Sequence, residues 1–368
     1  MTKEIYIVPI SGASFPFQLS AYLLLIESGL YPDICLTSSG GNIATYLILM
    51  ADWNKDNLIR ILKTVNTSMF LNSWGPSTLI SLIIGFFKGS AFNQGRGFVE
   101  FINTYLVEDS VKKLEIWTEA YNDVVKKPQL FCNKERNECT LEDKYIDCYI
   151  NQCLQPIYLN GNLTEISKVS IASASIPALV PSMNIGEQQY IDGGVHSSSP
   201  LNIMRNSIKE LKKYHLTHIV GADINIGCND YNQNIIETGM TAIDCLIKGF
   251  IKLDRSLALD LMTQCQDLGD INQIVFKCDK KSLDIIKSVK IQLSGSLLEI
   301  YPHYSTTRID LLSFTGESVI SAINDGYDKS YCRFWWVGDS SLCDGIELIE
   351  ECNEIITCKS NVCCPKDV

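Results

Sequence analysis

The sequence has few histidines and lacks the CxxC spacing of cysteines. Only four of its 368 residues are histidine, and none of its 15 cysteines forms a CxxC motif. Structural zinc sites are built from cysteine and histidine at such short spacings. A zinc site is therefore not expected.

An excess of basic charge and a long hydrophobic run are also missing. The formal net charge of −11 argues against nucleic acid as a partner and against simple attraction to anionic lipid. The most apolar run, LISLIIGFF at 79–87, is far shorter than the roughly 20 residues of a membrane-spanning helix. The first residues, MTKEIYIVPISG, lack the basic region and cleavage site of a secretory signal. These absences predict a cytoplasmic protein that contacts membranes at most peripherally.

Strand-like and helix-like segments alternate along the chain. This alternation predicts an α/β fold with a mainly parallel central sheet. The predicted strands are 4–10, 33–37, 115–121 and 217–226. The predicted helices are 17–30, 42–50, 166–176, 202–213, 236–263 and 315–326.

No linker-like segment divides the chain, but its end is rich in cysteine. Six of the cysteines crowd into it: Cys332, Cys343, Cys352, Cys358, Cys363 and Cys364. We therefore predict one domain over residues 1–332 and a cysteine-rich tail over 333–368. The other, scattered cysteines are expected to be buried free thiols, and disulfide bonds in the tail remain an open alternative.

Two serines and two glycines lie where a predicted strand becomes a predicted helix, in PDICLTSSGGNIATYL at 32–47. A nucleophile elbow places a serine on such a turn, with small residues two positions before and after it. With Ser39 at the centre these are Thr37 and Gly41, and the helix begins near residue 41. With Ser38 at the centre, Asn42 is forced towards the core, so Ser39 is favoured. A plain serine–glycine turn that caps the helix is the alternative.

An Asp-Gly-Gly motif follows a short apolar stretch in QQYIDGGVHSSSPLN at 188–202. Asp192 on such a loop is able to accept the serine proton directly, provided that it lies within hydrogen-bond reach. Gly193 and Gly194 would support the loop. A hairpin turn is the alternative, and the four histidines show no pattern of catalytic partners.

A loop of small residues, ISGASFPF at 10–17, follows the first predicted strand. Successive backbone N–H groups of such a loop are able to hold an oxyanion, and Gly12 and Ala13 are the predicted donors. An ordinary strand-to-helix turn fits this loop equally well when it is considered alone.

Together these segments resemble the patatin-like phospholipases. The order matches from about residue 4 to 330: a small-residue loop, the elbow at 37–41, IASASIPALVP at 171–181, Asp192-Gly193-Gly194 with Pro200 after it, and SVISAINDGYDKS at 318–330. The isoleucine- and asparagine-rich composition of the chain and its divergent loops resemble those of patatin-like proteins of large DNA viruses. A viral origin would place the protein in a host cell or a virion.

The resemblance implies a three-layer α/β/α lipid acyl hydrolase, of the phospholipase A or lysophospholipase type, that needs no metal or other cofactor. Ser39 would be the nucleophile and Asp192 the general base, with an acyl-enzyme intermediate. Gly12, Ala13 and Gly40 would form the oxyanion hole.

Two departures from the family pattern leave an alternative. The oxyanion loop reads Ser-Gly-Ala-Ser-Phe-Pro at 11–16, without the usual glycine run and basic residue, and Thr37 replaces the first glycine of the elbow. The alternative is a catalytically degenerate protein with a lipid-binding or structural role.

A soluble lipase also needs an apolar surface on which to meet its lipid. The segment WGPSTLISLIIGFFKGSAF at 74–92 is the predicted docking element, with Trp74, Phe86 and Phe87 at the interface. Because the run is apolar on every face, a buried helix is the alternative.

Overall fold

The computed structural model describes residues 2–65, 96–146, 153–176, 181–221, 235–264, 271–303, 315–337 and 353–358. The helices are α1 Phe15–Glu27, α2 Ser39–Met50, α3 Lys55–Leu62, α4 Arg96–Tyr105, α5 Glu108–Lys113, α6 Leu163–Ser173, α7 Leu201–Lys209, α8 Ile235–Gln264, α9 Lys280–Lys290 and α10 Gly316–Asp328. The strands are β1 Lys3–Val8, β2 Ile34–Ser38, β3 Glu115–Asn122, β4 Lys127–Cys132, β5 Ile157–Tyr158, β6 Met183–Ile185, β7 Gln188–Asp192, β8 Tyr214–Ile219, β9 Ile271–Lys277, β10 Gly295–Pro302, β11 Ser330–Val337 and β12 Asn353–Cys358.

The strands form one mixed sheet in the order β12-β9-β11-β10-β8-β1-β2-β3-β4-β5. Its centre, β10-β8-β1-β2-β3, is parallel throughout. Antiparallel pairs lie towards both edges, where β11 joins β10 and β4 joins β3. Parallel strands need both faces covered, and this explains why the central strands read as continuous apolar runs.

Helices cover the sheet on both faces. Along β1, Tyr6 and Val8 point into a core with α1, α2 and α10, whereas Ile5 and Ile7 point into a second core with α7 and α8. Successive strand residues alternate between faces, so one apolar strand supplies both cores. The predicted three-layer α/β/α fold with a mainly parallel central sheet is confirmed.

Two strands end facing each other along β3. β2 runs parallel to β3 and ends with Ser38 opposite Glu119. β7 runs antiparallel to β3 and ends with Asp192 opposite Ala120. The last residues of β2 and β7 therefore lie opposite neighbouring residues of β3. This arrangement brings the residues after β2 next to the end of β7.

The strands and helices predicted from the sequence are found with shifted ends. The helix predicted at 17–30 is α1, which begins earlier, at Phe15, and ends at Glu27, and 236–263 lies within α8. The strand predicted at 217–226 starts earlier, as β8, and residues 222–226 lie outside the described ranges. Within the described ranges, no helix combines the length and hydropathy needed to cross a membrane.

The predicted start of the tail falls inside a strand. β11 runs from Ser330 to Val337 and lies between β9 and β10, so residues 333–337 belong to the sheet. Beyond it, β12 pairs with β9 at the sheet edge. The predicted boundary at 332/333 was misplaced because the first cysteine of the tail cluster is itself a buried strand residue.

The prediction of free thiols for the scattered cysteines is wrong in part. Cys278 forms a disulfide with Cys332, and Cys153 and Cys245 are also disulfide-bonded. Cys35 is buried and free, as predicted. Linear spacing does not reveal such pairing, because Cys278 follows β9 and meets Cys332 only through the β9–β11 ladder.

Candidate active site

Ser39 lies on a sharp turn between β2 and α2. Its φ of +52° is in the left-handed region that non-glycine residues seldom occupy. The preceding Ser38 is still extended, and α2 begins at Ser39 itself. A Cβ atom on Gly41 would stand 2.2 Å from the Val8 carbonyl oxygen, so only glycine fits there. The turn therefore has the backbone of a nucleophile elbow.

The first position of the elbow is a threonine in place of the usual glycine, and the turn is sharp nonetheless. Thr37 is buried, and its hydroxyl lies 3.2 Å from the Trp117 carbonyl oxygen and 3.1 Å from Thr118 Oγ1. These contacts tie the end of β2 to β3. The expectation that Ser39 at the centre would keep Asn42 out of the core is wrong, because Asn42 is buried.

Ser39 and Asp192 are joined by a hydrogen bond. Ser39 Oγ donates to Asp192 Oδ2 at 2.7 Å, although 153 residues separate the two in the chain. The other carboxyl oxygen, Oδ1, accepts the Gly194 N–H at 2.7 Å. By contrast, the buried Ser38 hydroxyl has no hydrogen-bond partner within the described residues.

The Asp192 carboxyl is buried, and this changes its acidity. Burial raises its pKa from 3.8 to about 7, while the hydrogen bonds from Ser39 and Gly194 act in the opposite direction and the nearby Glu119 raises it further. A carboxylate with a pKa near neutrality is a stronger base than an exposed one. The pair is therefore able to move a proton from the serine hydroxyl at neutral pH.

The predicted oxyanion loop lies against the elbow. Gly12–Ser14, which includes Ala13, form a short 3-10 helix, and Gly12 has a φ of +52°. A Cβ atom on Gly40 would stand 2.5 Å from Ser11 Oγ and 3.1 Å from Gly12 N. The backbone of Gly12 and Gly40 is thus in close contact, while a Cβ on Gly12 would meet nothing within 4 Å. The loop is therefore packed against the elbow at Gly40 and is open on the side to which a Gly12 Cβ would point.

A buried glutamine holds the oxyanion loop in place. Gln18 Oε1 accepts a hydrogen bond from Ser11 Oγ at 2.7 Å. Gln18 Nε2 donates to the Pro9 carbonyl at 2.9 Å and to the Ile219 carbonyl at 3.1 Å. The loop is therefore anchored without the glycine run of the family pattern.

The loop after Asp192 packs closely on the neighbouring strands. A Cβ on Gly193 would stand 2.3 Å from the Glu119 carbonyl oxygen, and one on Gly194 would stand 2.2 Å from Ile10 Cδ1. The Asp192 side chain caps the short helix that follows. Gly193 therefore lies where the β3 backbone leaves no room for a Cβ, and a larger residue at Gly194 would require the Ile10 side chain to move.

Sequence reasoning missed Glu119. Its carboxyl is fully buried, within β3 at the position opposite Ser38, and contacts His196 Nδ1 at 2.8 Å and Ser197 Oγ at 2.7 Å. Charged residues are seldom buried unless paired, so a glutamate inside the apolar stretch EIWTEAYN at 115–122 was the available signal.

The other three histidines make contacts with residues outside the Ser39–Asp192 pair. His215 bonds Ser296, His218 bonds Glu299, and the His303 ring packs on Tyr331. No cluster of metal-ligating side chains is found among the described residues. The predicted docking residues Trp74, Phe86 and Phe87 lie outside the described ranges.

Comparison with known proteins gives a family match and a distant structural similarity. A family model described as patatin-like phospholipase matches residues 12–205, more than half of the chain. A search of curated proteins finds no match. Among solved structures, the crystal structure of VipD from Legionella pneumophila is similar with a TM-score of 0.35 and 10% sequence identity, over 97% of this chain and 68% of that chain. The matched range contains both Ser39 and Asp192.

Proposed function

The chain belongs to the patatin-like phospholipase family, and we propose that it hydrolyses fatty-acyl esters of phospholipids through a Ser39–Asp192 dyad. The observation that supports the dyad is the 2.7 Å hydrogen bond from Ser39 Oγ to Asp192 Oδ2, at an elbow inside the matched range. No histidine is needed as base, because the carboxyl contacts the serine directly.

In the first half of the reaction, Ser39 Oγ attacks the ester carbonyl carbon while its proton passes to Asp192 Oδ2. The carbonyl oxygen gains negative charge, which the N–H groups of Gly12, Ala13 and Gly40 stabilise. The carbon–oxygen bond to the glycerol side then breaks, and the leaving oxygen takes the proton from Asp192. The product is an acyl-enzyme with the fatty acid esterified to Ser39.

In the second half, water replaces the alcohol. Asp192 accepts a proton from the water as its oxygen attacks the acyl carbon, and a second tetrahedral intermediate forms in the same oxyanion hole. Its collapse releases the fatty acid, and Ser39 Oγ recovers the proton from Asp192. Every proton in the cycle is carried by Asp192.

The elbow geometry supports Ser39 rather than Ser38 as nucleophile. Ser39 has the left-handed turn and the bond to Asp192, whereas Ser38 is an extended strand residue. We further propose that the protein is cytoplasmic. Because its family is that of the patatin-like phospholipases, we also propose that it meets its lipid at a membrane surface.

The test is fatty-acid release from mixed phospholipid vesicles by the full chain and by Ser39→Ala, Ser38→Ala and Asp192→Asn. We expect release by the parent and by Ser38→Ala and a loss of at least about 10³-fold in the other two. Ser39→Ala should also lose covalent labelling by a fluorophosphonate, and Asp192→Asn should be labelled far more slowly than the parent, because its Ser39 has no base. A parent that is folded, releases no fatty acid from several lipid classes and resists labelling would favour the degenerate, lipid-binding alternative.

A further inference from the structure

Glu119 lies beside the proposed dyad but has no role in the reaction as written. It pairs with Ser38 across the β2–β3 ladder, and the next residue, Ala120, pairs with Asp192. Its side chain has no exposed surface. Burying a carboxylate lowers stability unless the group is paired or hydrogen-bonded. A buried glutamate on β3, between the ends of β2 and β7, therefore requires an explanation.

The main chain of Glu119 contacts both sides of the dyad. Its carbonyl oxygen accepts a hydrogen bond from Ser173 Oγ at 2.6 Å, and Ser173 Oγ in turn accepts the Ser39 N–H at 3.0 Å. The same carbonyl lies against Gly193, directly after Asp192. The position of Glu119 is therefore fixed relative to Ser39 and Asp192.

The side chain of Glu119 is held by two donors from the loop after Asp192. His196 Nδ1 lies 2.8 Å from Oε1, and Ser197 Oγ donates to Oε2 at 2.7 Å. The His196 side chain is 30% exposed, so it exchanges protons with solvent although its partner does not. The hydrogen bond to Glu119 raises the pKa of His196, and this favours the imidazolium.

We propose that Glu119 and His196 are positioning residues for the Ser39–Asp192 hydrolysis, an inference that rests on the proposed function. The His196 imidazolium offsets the negative charge of Glu119 and so keeps Asp192 ionised near neutral pH. Without the imidazolium, the Glu119 carboxylate repels the charge that Asp192 must carry to act as base. The exposed histidine thereby connects solvent pH to a base that solvent does not reach.

Further charges near this pair come from the second face of the sheet. α8 contributes Asp254, which accepts a hydrogen bond from Ser198 Oγ, and β8 contributes His218, whose charge lowers the pKa of Asp254. Burial raises the pKa of Asp254 to about 6, and Glu119 adds to that rise. Asp254 and His218 keep their side chains in the variants below, and Glu119→Gln also removes the contribution of Glu119 to the pKa of Asp254.

The test compares the pH dependence of kcat/KM on a soluble p-nitrophenyl acyl ester for the full chain, Glu119→Gln, His196→Gln and the double variant. Glutamine keeps hydrogen-bonding capacity at both positions and removes only the charge. We expect the acidic limb of the profile, where kcat/KM falls as Asp192 gains a proton, to move to lower pH in Glu119→Gln and to higher pH in His196→Gln. The double variant should follow Glu119→Gln, because His196 acts only through Glu119.

Two charge-removing controls lie elsewhere. Glu108→Gln removes an exposed carboxylate that pairs with Lys112, and His303→Gln removes a histidine at the end of β10. Neither should move the acidic limb. A purely structural role for Glu119 and His196 would lower kcat/KM at every pH without moving the limb, and that result would overturn the inference, as would shifts of both variants in the same direction.

A second readout needs no turnover. The change in stability caused by Asp192→Asn at pH 8 reports the cost of the Asp192 charge, and it should be smaller in the Glu119→Gln background and larger in the His196→Gln background. If these differences appear while no variant hydrolyses any ester, the charge pair acts on Asp192 and the proposed function has failed. If the parent hydrolyses esters and neither readout moves, the function stands and the inference is overturned.

Discussion

Asp192→Asn should abolish hydrolysis and make the protein more stable. The folded carboxyl has a pKa of about 7, against an ordinary value of 3.8, so the folded state binds this proton more tightly than the unfolded state does. The contribution of this group to stability is complete below pH 3.8 and is lost as the pH rises through about 7. A difference of about three pKa units, at about 1.4 kcal/mol each, amounts to about 4 kcal/mol.

Asparagine removes that cost with little change in shape. Its side-chain oxygen is able to accept the Gly194 N–H, and its amide is able to donate to Ser39 Oγ. We therefore expect the free energy of unfolding at pH 8 to rise by up to about 4 kcal/mol, and the gain to shrink to less than about 2 kcal/mol at pH 5. Denaturant titration with disulfides intact, at both pH values, measures this.

A matched control is Asp279→Asn. Asp279 also caps a helix, accepting the Ser282 N–H at 2.8 Å, but it is exposed. It should give no gain in stability at either pH. An Asp192→Asn protein no more stable than the parent at pH 8, or one whose gain is the same at pH 5, would refute the reasoning that burial of the charge sets the acidity of Asp192.

Three further predictions concern the same site and its access to lipid. On a soluble ester, kcat/KM should fall about tenfold per pH unit below about pH 7, since the protonated Asp192 is unable to accept the serine proton. A flat pH profile of kcat/KM between pH 5 and 8 would contradict this. Gly193→Ala should lower both activity and melting temperature, because its Cβ would stand 2.3 Å from the Glu119 carbonyl. The control Gly249→Ala on α8, with nothing within 4 Å, should leave activity unchanged and should not lower the melting temperature, because alanine is the better helix former. Phe86→Ala with Phe87→Ala should weaken binding to vesicles in a flotation assay more than it lowers the melting temperature, and unchanged partitioning would count against the docking prediction.

The sequence carried enough information to find Ser39 and Asp192, because the chemistry of each depends on a local pattern. An elbow needs small residues around the serine, and the loop after Asp192 needs glycines where it packs on β3. Both requirements involve residues that are neighbours in the sequence, so the sequence alone reveals them. The central strands were also predictable, because strands buried on both faces appear as apolar runs.

Features that depend on distant segments were not predictable in this way. Glu119 lies near Asp192 only because β7 pairs with β3, and this pairing exists only in the folded chain. The place of β11 in the sheet was hidden because cysteine composition suggested a separate tail. The buried Asn42 accepts hydrogen bonds at its side-chain Oδ1 from the hydroxyls of Thr37 and Thr118, each at 3.4 Å, and helical periodicity does not reveal these contacts.

The meeting of β2 and β7 on β3 has a consequence for the newly made chain. The nucleophile and its base come from segments 153 residues apart, and they touch only when both strands have paired with a third. Such long-range pairing forms late, because the entropy of closing long loops must be overcome first. A nascent or partly unfolded chain therefore holds Ser39 without Asp192 beside it, so the proposed hydrolysis depends on completed folding.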